Sequence, residues 1–214
     1  MNESQMTAAA GSALEDIIHA RRSVRQYQPN VAIPDETLNE ILELAAAAPS
    51  SWNLQHWRFL VIKDQARKDR IKAIAYGQQQ VSDASVIVVI LGDLEANKTA
   101  ADLYEAQVAA GTLPQKVLDT LVGQIEAAYQ NAQFARDEAN KNAGLAAMQL
   151  MLAAKAKGYD TVPMGGFDPA ALVRELNIPP RYFPVMMIPI GLAAAPARQT
   201  ERLPLSTLVV NETF

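Results

Sequence analysis

Apolar positions recur along this chain with spacings that switch between helical and strand-like, and the switches fall at proline, glycine or clustered polar residues. In PDETLNEILELAAAAP, residues 34–49, Leu38, Ile41, Leu42 and Ala45 line one helical face, acidic residues occupy the first turn and Pro49 supplies a stop. Upstream, SALEDIIHA places Leu14, Ile17 and Ile18 on a helical face with Ser12 as its cap, and this helix runs straight into RRSVRQY, residues 21–27. WRFLVI and SVIVVIL read as strands, separated by a helix in DQARKDRIKAIAY and approached through the polar stretch YGQQQVSDA.

Residues 95–157 are helical in composition and broken at GTLP. Val117, Leu118, Leu121, Val122 and Ile125 mark one helix; Ala139, Ala143, Ala146, Ala147, Leu150, Met151 and Ala154 mark a longer one. Such short side chains let backbones approach closely, which suits either tight helix packing or a dimer seam. After a helix exit at KAKGYD, TVPMGGFD reads as a Gly/Pro loop, DPAALVREL as a short helix and VMMIPIGL as a buried strand. The last stretch, AAPARQTERLPLSTLVVNETF, is too apolar for a plain tail and too aperiodic for a core helix, so it is expected to lie across another surface.

Composition narrows the chemistry. A chain of 214 residues buries an adequate core for one domain, read here as 12–195, with a loose or partner-supported arm at 1–11 and an extension at 196–214. The formal net charge of −4 gives no global support for nucleic-acid binding or an anionic membrane surface, although a local anion site is compatible with it. The absence of cysteine removes disulfides, thiolate catalysis and Cys-ligated metals, and two histidines are too few for a histidine-rich metal site. No signal-like n- and h-regions open the chain and no apolar run is long enough to span a bilayer, which makes a cytoplasmic location the most economical expectation.

Candidate chemistry then lies in short stretches. Arg21, Arg22 and Arg25, with Ser23, are close enough to converge on a phosphate, since guanidinium forks bind such oxygens in pairs; taken alone, a solvated basic patch is the plainer reading. SSWNLQHW offers Ser50, Ser51, Asn53 and Gln55 between a helix and a strand, as ligand-facing groups or as helix termination with a tryptophan anchor. His56 is a candidate base, but a histidine without an identified partner is more often structural. PMGGF, residues 163–167, can present main-chain N–H groups to a flat ligand because its glycines lack Cβ, or it is an ordinary turn. GxGxxG, Walker, HExxH and GxSxG patterns are missing, so an enzyme built on this chain would take its reactivity from a cofactor.

In this order, RRSVRQY, APSSWNLQHWRFLVI, DASVIVV, VPMGGFD and RLPL resemble the nitroreductase family of FMN-dependent oxidoreductases, over nearly the whole chain. The resemblance implies an α+β fold with a central, mostly antiparallel sheet flanked by helices. It implies an intertwined homodimer with exchanged C-terminal segments and FMN at the interface. Arg21, Arg22, Ser23 and Arg25 match the motif addressing the phosphate, ribityl chain and nearby ring oxygens, and Arg202 matches a late basic residue at the phosphate. Ser50, Ser51 and Asn53, with Gln55 behind them, match a loop supplied across the interface along the flavin. Pro163, Met164, Gly165 and Gly166 match the loop at the ring face and N5, and Gln80 falls near a lysine that some members turn to the pyrimidine edge. The implied activity is hydride transfer from NADH or NADPH to nitroaromatics, quinones or similar small-molecule acceptors in a ping-pong cycle. A specialised flavin dehydrogenase of the same fold and a non-catalytic flavin-binding dimer are the alternatives. Two positions depart from the pattern: His56 stands where proline often follows the glutamine, and Thr200 where a second late basic residue often occurs, with Arg198 two residues earlier.

Overall fold

The structure, a computed structural model, describes residues 13–214, so the expected arm and the Ser12 cap lie outside the described residues. Helix α1 covers residues 13–20 and α2 Asp35–Ala46; strand β1 is Trp57–Ile62; α3 is Gln65–Ile74 and α4 Gln79–Asp83. Strand β2 is Val86–Asp93; α5 is Ala100–Ala109, α6 Gln115–Tyr129 and α7 Ala132–Ala156; β3 is Asp160–Thr161, α8 Pro169–Leu176, β4 Tyr182–Gly191 and α9 Leu205–Leu208. The four strands form one antiparallel sheet in the order β1-β2-β4-β3.

All eight residues of β2 are buried, because helices cover both sheet faces. That explains why SVIVVIL is continuously apolar rather than alternating. On one face Val86, Val88, Ile90, Ile188 and Ile190 pack with α2 and the alanine-rich side of α7. On the other, Ile87, Val89, Leu91 and Met187 pack with Ile71 of α3, Val81 of α4 and Leu172 of α8. The small residues of α7 expected at either a packing face or a dimer seam are buried within this chain, so their role is close packing beneath the sheet.

Some expectations are corrected locally. The polar approach YGQQQVSDA contains α4, whose Gln80 and Val81 are buried. TVPMGGFD is not wholly loop: Thr161 is in β3, and Met164 bridges Met187 on β4 through paired backbone hydrogen bonds of 2.8 and 2.9 Å. The C-terminal stretch holds the single turn α9, with Leu205 and Leu208 exposed. No helix among the described residues is long and apolar enough to cross a membrane.

Candidate functional site

RRSVRQY leaves α1 and runs along the β3 edge of the sheet. Its Val24 N–H donates to Thr161 O at 3.1 Å, and Val24 and Tyr27 are buried inward. Those two anchors leave Arg25 exposed and Arg21, Arg22 and Ser23 half-buried. The segment 193–198 returns beside it: Ala194 N–H donates to Gln26 O at 2.8 Å and Gln28 N–H to Leu192 O at 2.9 Å. Ser23 and Arg25 line one wall of a cavity of about 460 Å³ whose other wall is Ala195 to Arg198.

Burial, then the neighbouring Arg202 and Arg22 charges, lower the pKa of Arg21, so like charges approach one another at this corner. Among the described residues no carboxylate forms an ion pair with Arg21, Arg22, Arg25, Arg198 or Arg202. Arg22 is partly committed elsewhere, its guanidinium donating to His19 O and, at 2.9 Å, to Arg21 O at the C-terminal end of α1. A cation there meets the negative end of the helix dipole.

β3 carries the chain from this corner directly into PMGGF. Met164 is buried, whereas Pro163, Gly165 and Gly166 are exposed. A Cβ on Gly165 would point into open space, and among the described residues neither Gly165 nor Gly166 donates its N–H to a protein acceptor. Gln80 reaches this loop from behind: its amide donates to Gln78 Oε1 at 3.0 Å and contacts Met164 Sδ at 3.8 Å, and Gln78 donates to Gly166 O at 2.7 Å.

The SSWNLQ loop is held in an unusual shape. Trp52, Asn53 and Gln55 have φ of 51°, 56° and 51°, a left-handed conformation that is costly for tryptophan. Ser50 Oγ accepts the Gln55 N–H at 2.9 Å and Gln55 Nε2 returns to Asn53 O at 3.0 Å, closing the turn, while Asn53 and Gln55 are exposed. Two residues not expected from sequence lock it. Asn142 on α7, 1% exposed, accepts the Ser51 N–H at 2.9 Å and donates to Glu138 O at 2.7 Å. Tyr104 on α5 donates its hydroxyl to Trp52 O at 2.8 Å. Asn142 was visible in principle, being an amide set into the alanine stripe of α7; Tyr104 had no such signal.

His56 is fully buried, stacked at 6.5 Å between centroids on Tyr129, and neither ring nitrogen has a hydrogen-bond partner among the described residues. Burial lowers its pKa to about 4, against the opposing pull of Glu138 and Asp93. A neutral ring without access serves packing, not proton transfer.

The structure therefore gathers Arg21, Ser23, Arg25 and Arg202 at one corner, contiguous with Pro163 to Gly166 and backed by Gln80. It sets Ser50, Ser51, Asn53 and Gln55 at another. The first corner adjoins β3 and the end of β4; the second precedes β1, whose Trp57 is level with Gly92 and hence Phe183 at the start of β4. Strand spacing separates the two by about 14 Å across the sheet and roughly 25 Å along it.

Comparison with known proteins returned a match of residues 18–192 to the family model described as Nitroreductase family. The Bacillus subtilis protein YodC, provisionally named an NAD(P)H nitroreductase, is 49% identical over 191 residues, covering 89% of this chain and 95% of that protein. The CLA biosynthesis enone reductase of Lactiplantibacillus plantarum is 35% identical over 199 residues, covering 91% of this chain and 92% of its own. Among solved structures, a provisionally named nitroreductase from Exiguobacterium sibiricum in complex with FMN superposes with a TM-score of 0.85 at 37% identity, covering 92% of this chain and 96% of that one.

Proposed function

The chain belongs to the nitroreductase family, and from that premise we propose an FMN-dependent oxidoreductase that takes hydride from NADH or NADPH and reduces nitroaromatics, quinones or related conjugated electrophiles. The observation that carries this reading is the arginine corner, which among the described residues has no ion-paired carboxylate, running through β3 into a glycine loop with two free N–H groups. A dianionic phosphate and a flat ring joined by a flexible linker fit that sequence of donors. The enone reductase among the relatives supports including conjugated carbonyl acceptors.

Bound there, FMN would supply the redox chemistry, a two-electron exchange between the nicotinamide donor and the acceptor in ping-pong order. The protein's part is positioning and polarity. Arg21, Arg25 and Arg202, with Ser23, hold the phosphate and ribityl end, and Arg22 adds charge while capping α1. Pro163 and Met164 shape one face of the ring slot, and the Gly165 and Gly166 N–H groups orient the ring edge. These dipoles and the guanidinium charges favour extra negative charge on the ring. Gln80 stiffens the loop through Gln78. The hydride step asks for no side-chain acid or base.

The reading includes a homodimer. Ser50, Ser51, Asn53 and Gln55 cannot reach the arginine corner of their own chain across the sheet, but a second copy can bring them there. Leu203, Leu205, Leu208, Val209, Val210 and Phe214 are all exposed at the C-terminal end, apolar side chains that a second copy would cover. β1 is an edge strand with Val61 exposed, and the extended backbone at Val209 suits pairing there. On this reading 196–214 embraces the partner and adds to its sheet.

Anaerobic mixing of the purified full-length protein with NADH and NADPH in turn, followed by flavin absorbance, tests the function. Bleaching that a nitroaromatic, quinone or enone reverses is expected. Protein that purifies colourless and gains no visible spectrum with added FMN sinks the flavin reading, and a yellow protein that neither donor bleaches leaves only the flavin-binding dimer.

A further inference from the structure

We infer that Arg198 belongs to the FMN phosphate shell, where it supplies from the tail the cation that Thr200 lacks; this rests on the FMN reading above. The tail runs antiparallel to RRSVRQY, with Tyr27 bridged to Ala193 and the Gln26 and Gln28 backbones bonded to Ala194 and Leu192. That pairing ends at bends over Ala194 and Ala195, after which Ala195 to Arg198 line a cavity with Ser23, Arg25 and Gln26. A cation at 198 thus faces the motif at Ser23 and Arg25, whereas Thr200 is not among the residues that line this cavity.

The side chains follow the same logic. Arg198 lines the cavity shared with Ser23 and Arg25, and no carboxylate lines it. Two guanidinium groups lining one cavity without a counter-charge are matched by a bound dianion, not by each other. Thr200 acts on another arginine. Its Oγ1 accepts from Arg202 Nη1 at 2.8 Å, and its carbonyl accepts from the same nitrogen at 3.2 Å. Threonine at 200 therefore steadies Arg202, whose charge lowers the Arg21 pKa, while Arg198 serves the Arg25 side. The tail brings one guanidinium to each end of the motif.

The test is a titration of the full-length protein, stripped of bound flavin, with FMN and separately with riboflavin, which lacks the phosphate, at low and moderate salt. Arg198→Ala is expected to weaken FMN about tenfold, the effect of losing one charge-assisted hydrogen bond, to leave riboflavin affinity unchanged and to flatten the salt dependence of FMN binding. Arg198→Lys keeps the charge without the fork and should retain part of the affinity. Unchanged FMN affinity in Arg198→Ala, with FMN weakened in Arg25→Ala, overturns the assignment of Arg198 and leaves the FMN site standing. Equal loss of both flavins in Arg198→Ala also overturns it, since that marks a disturbed tail. Wild-type protein that binds neither flavin overturns the FMN reading itself.

Discussion

Deletion of residues 196–214 is expected to give a colourless protein that no longer forms a dimer. The deletion removes Arg198 and Arg202, one from each end of the arginine motif. Loss of two charge-assisted contacts weakens phosphate binding by on the order of a hundredfold or more. It also removes the exposed apolar side chains from Leu203 to Phe214, the surface that the proposed dimer buries. The core loses only Ala197 at its margin, because the buried residues on both sheet faces come before 196. Far-ultraviolet circular dichroism should therefore remain near that of the full chain while light scattering reports a smaller particle and absorbance reports lost flavin. A truncated protein that stays dimeric and fully loaded would show that neither the tail charges nor its apolar end carry the roles assigned.

The second large effect is acid lability at His56. Its pKa in the folded chain is about 4, below an ordinary value of 6.5, and burial is the main cause. Between those limits the unfolded chain binds a proton that the folded chain refuses, so stability falls as pH drops from 6.5 toward 4 and this contribution levels off below it. At about 1.4 kcal/mol for each unit, up to about 3 kcal/mol is at stake. His56→Phe keeps an aromatic ring on Tyr129 and cannot titrate. Urea unfolding at a fixed protein concentration across that pH range should show a shallower decline for the variant than for wild type. Because the slope is compared, a uniform loss of stability from the larger ring does not obscure the result; identical slopes would remove His56 from the account of acid sensitivity.

Much of this fold was readable from local pattern. The strands WRFLVI and SVIVVIL, the helix after Pro34 and the alanine face of α7 fall where their spacing puts them, since burial on one or both sides dictates those periods. RRSVRQY shows its clustered charge in sequence but not its place at the sheet edge: only Val24 and Tyr27 point inward, too few positions to fix a period. Arg22 illustrates a different limit. Nothing in its sequence context separates a guanidinium that faces a ligand from one that turns back on a helix end, because that choice depends on where α1 stops. The shape of SSWNLQ was hidden for a related reason. Tryptophan is a poor residue for left-handed backbone, and what holds it there comes from Tyr104 and Asn142, far along the chain. Lys68 was read only as part of the helix between the two strands, yet it is 5% exposed and its ammonium donates to Ala84 O, so its stem is buried as well.

The proposed dimer gives the separation of the two corners a genetic consequence. In a dimer that joins the arginine corner of one copy to the SSWNLQ loop of the other, each pocket is the product of two copies, and no copy owns one outright. A subunit crippled in RRSVRQY and a subunit crippled in SSWNLQ, paired together, concentrate both defects in one pocket and leave its twin entirely wild type. Two null alleles of this kind would rescue each other in the same cell, whereas two alleles damaged in the same stretch would not.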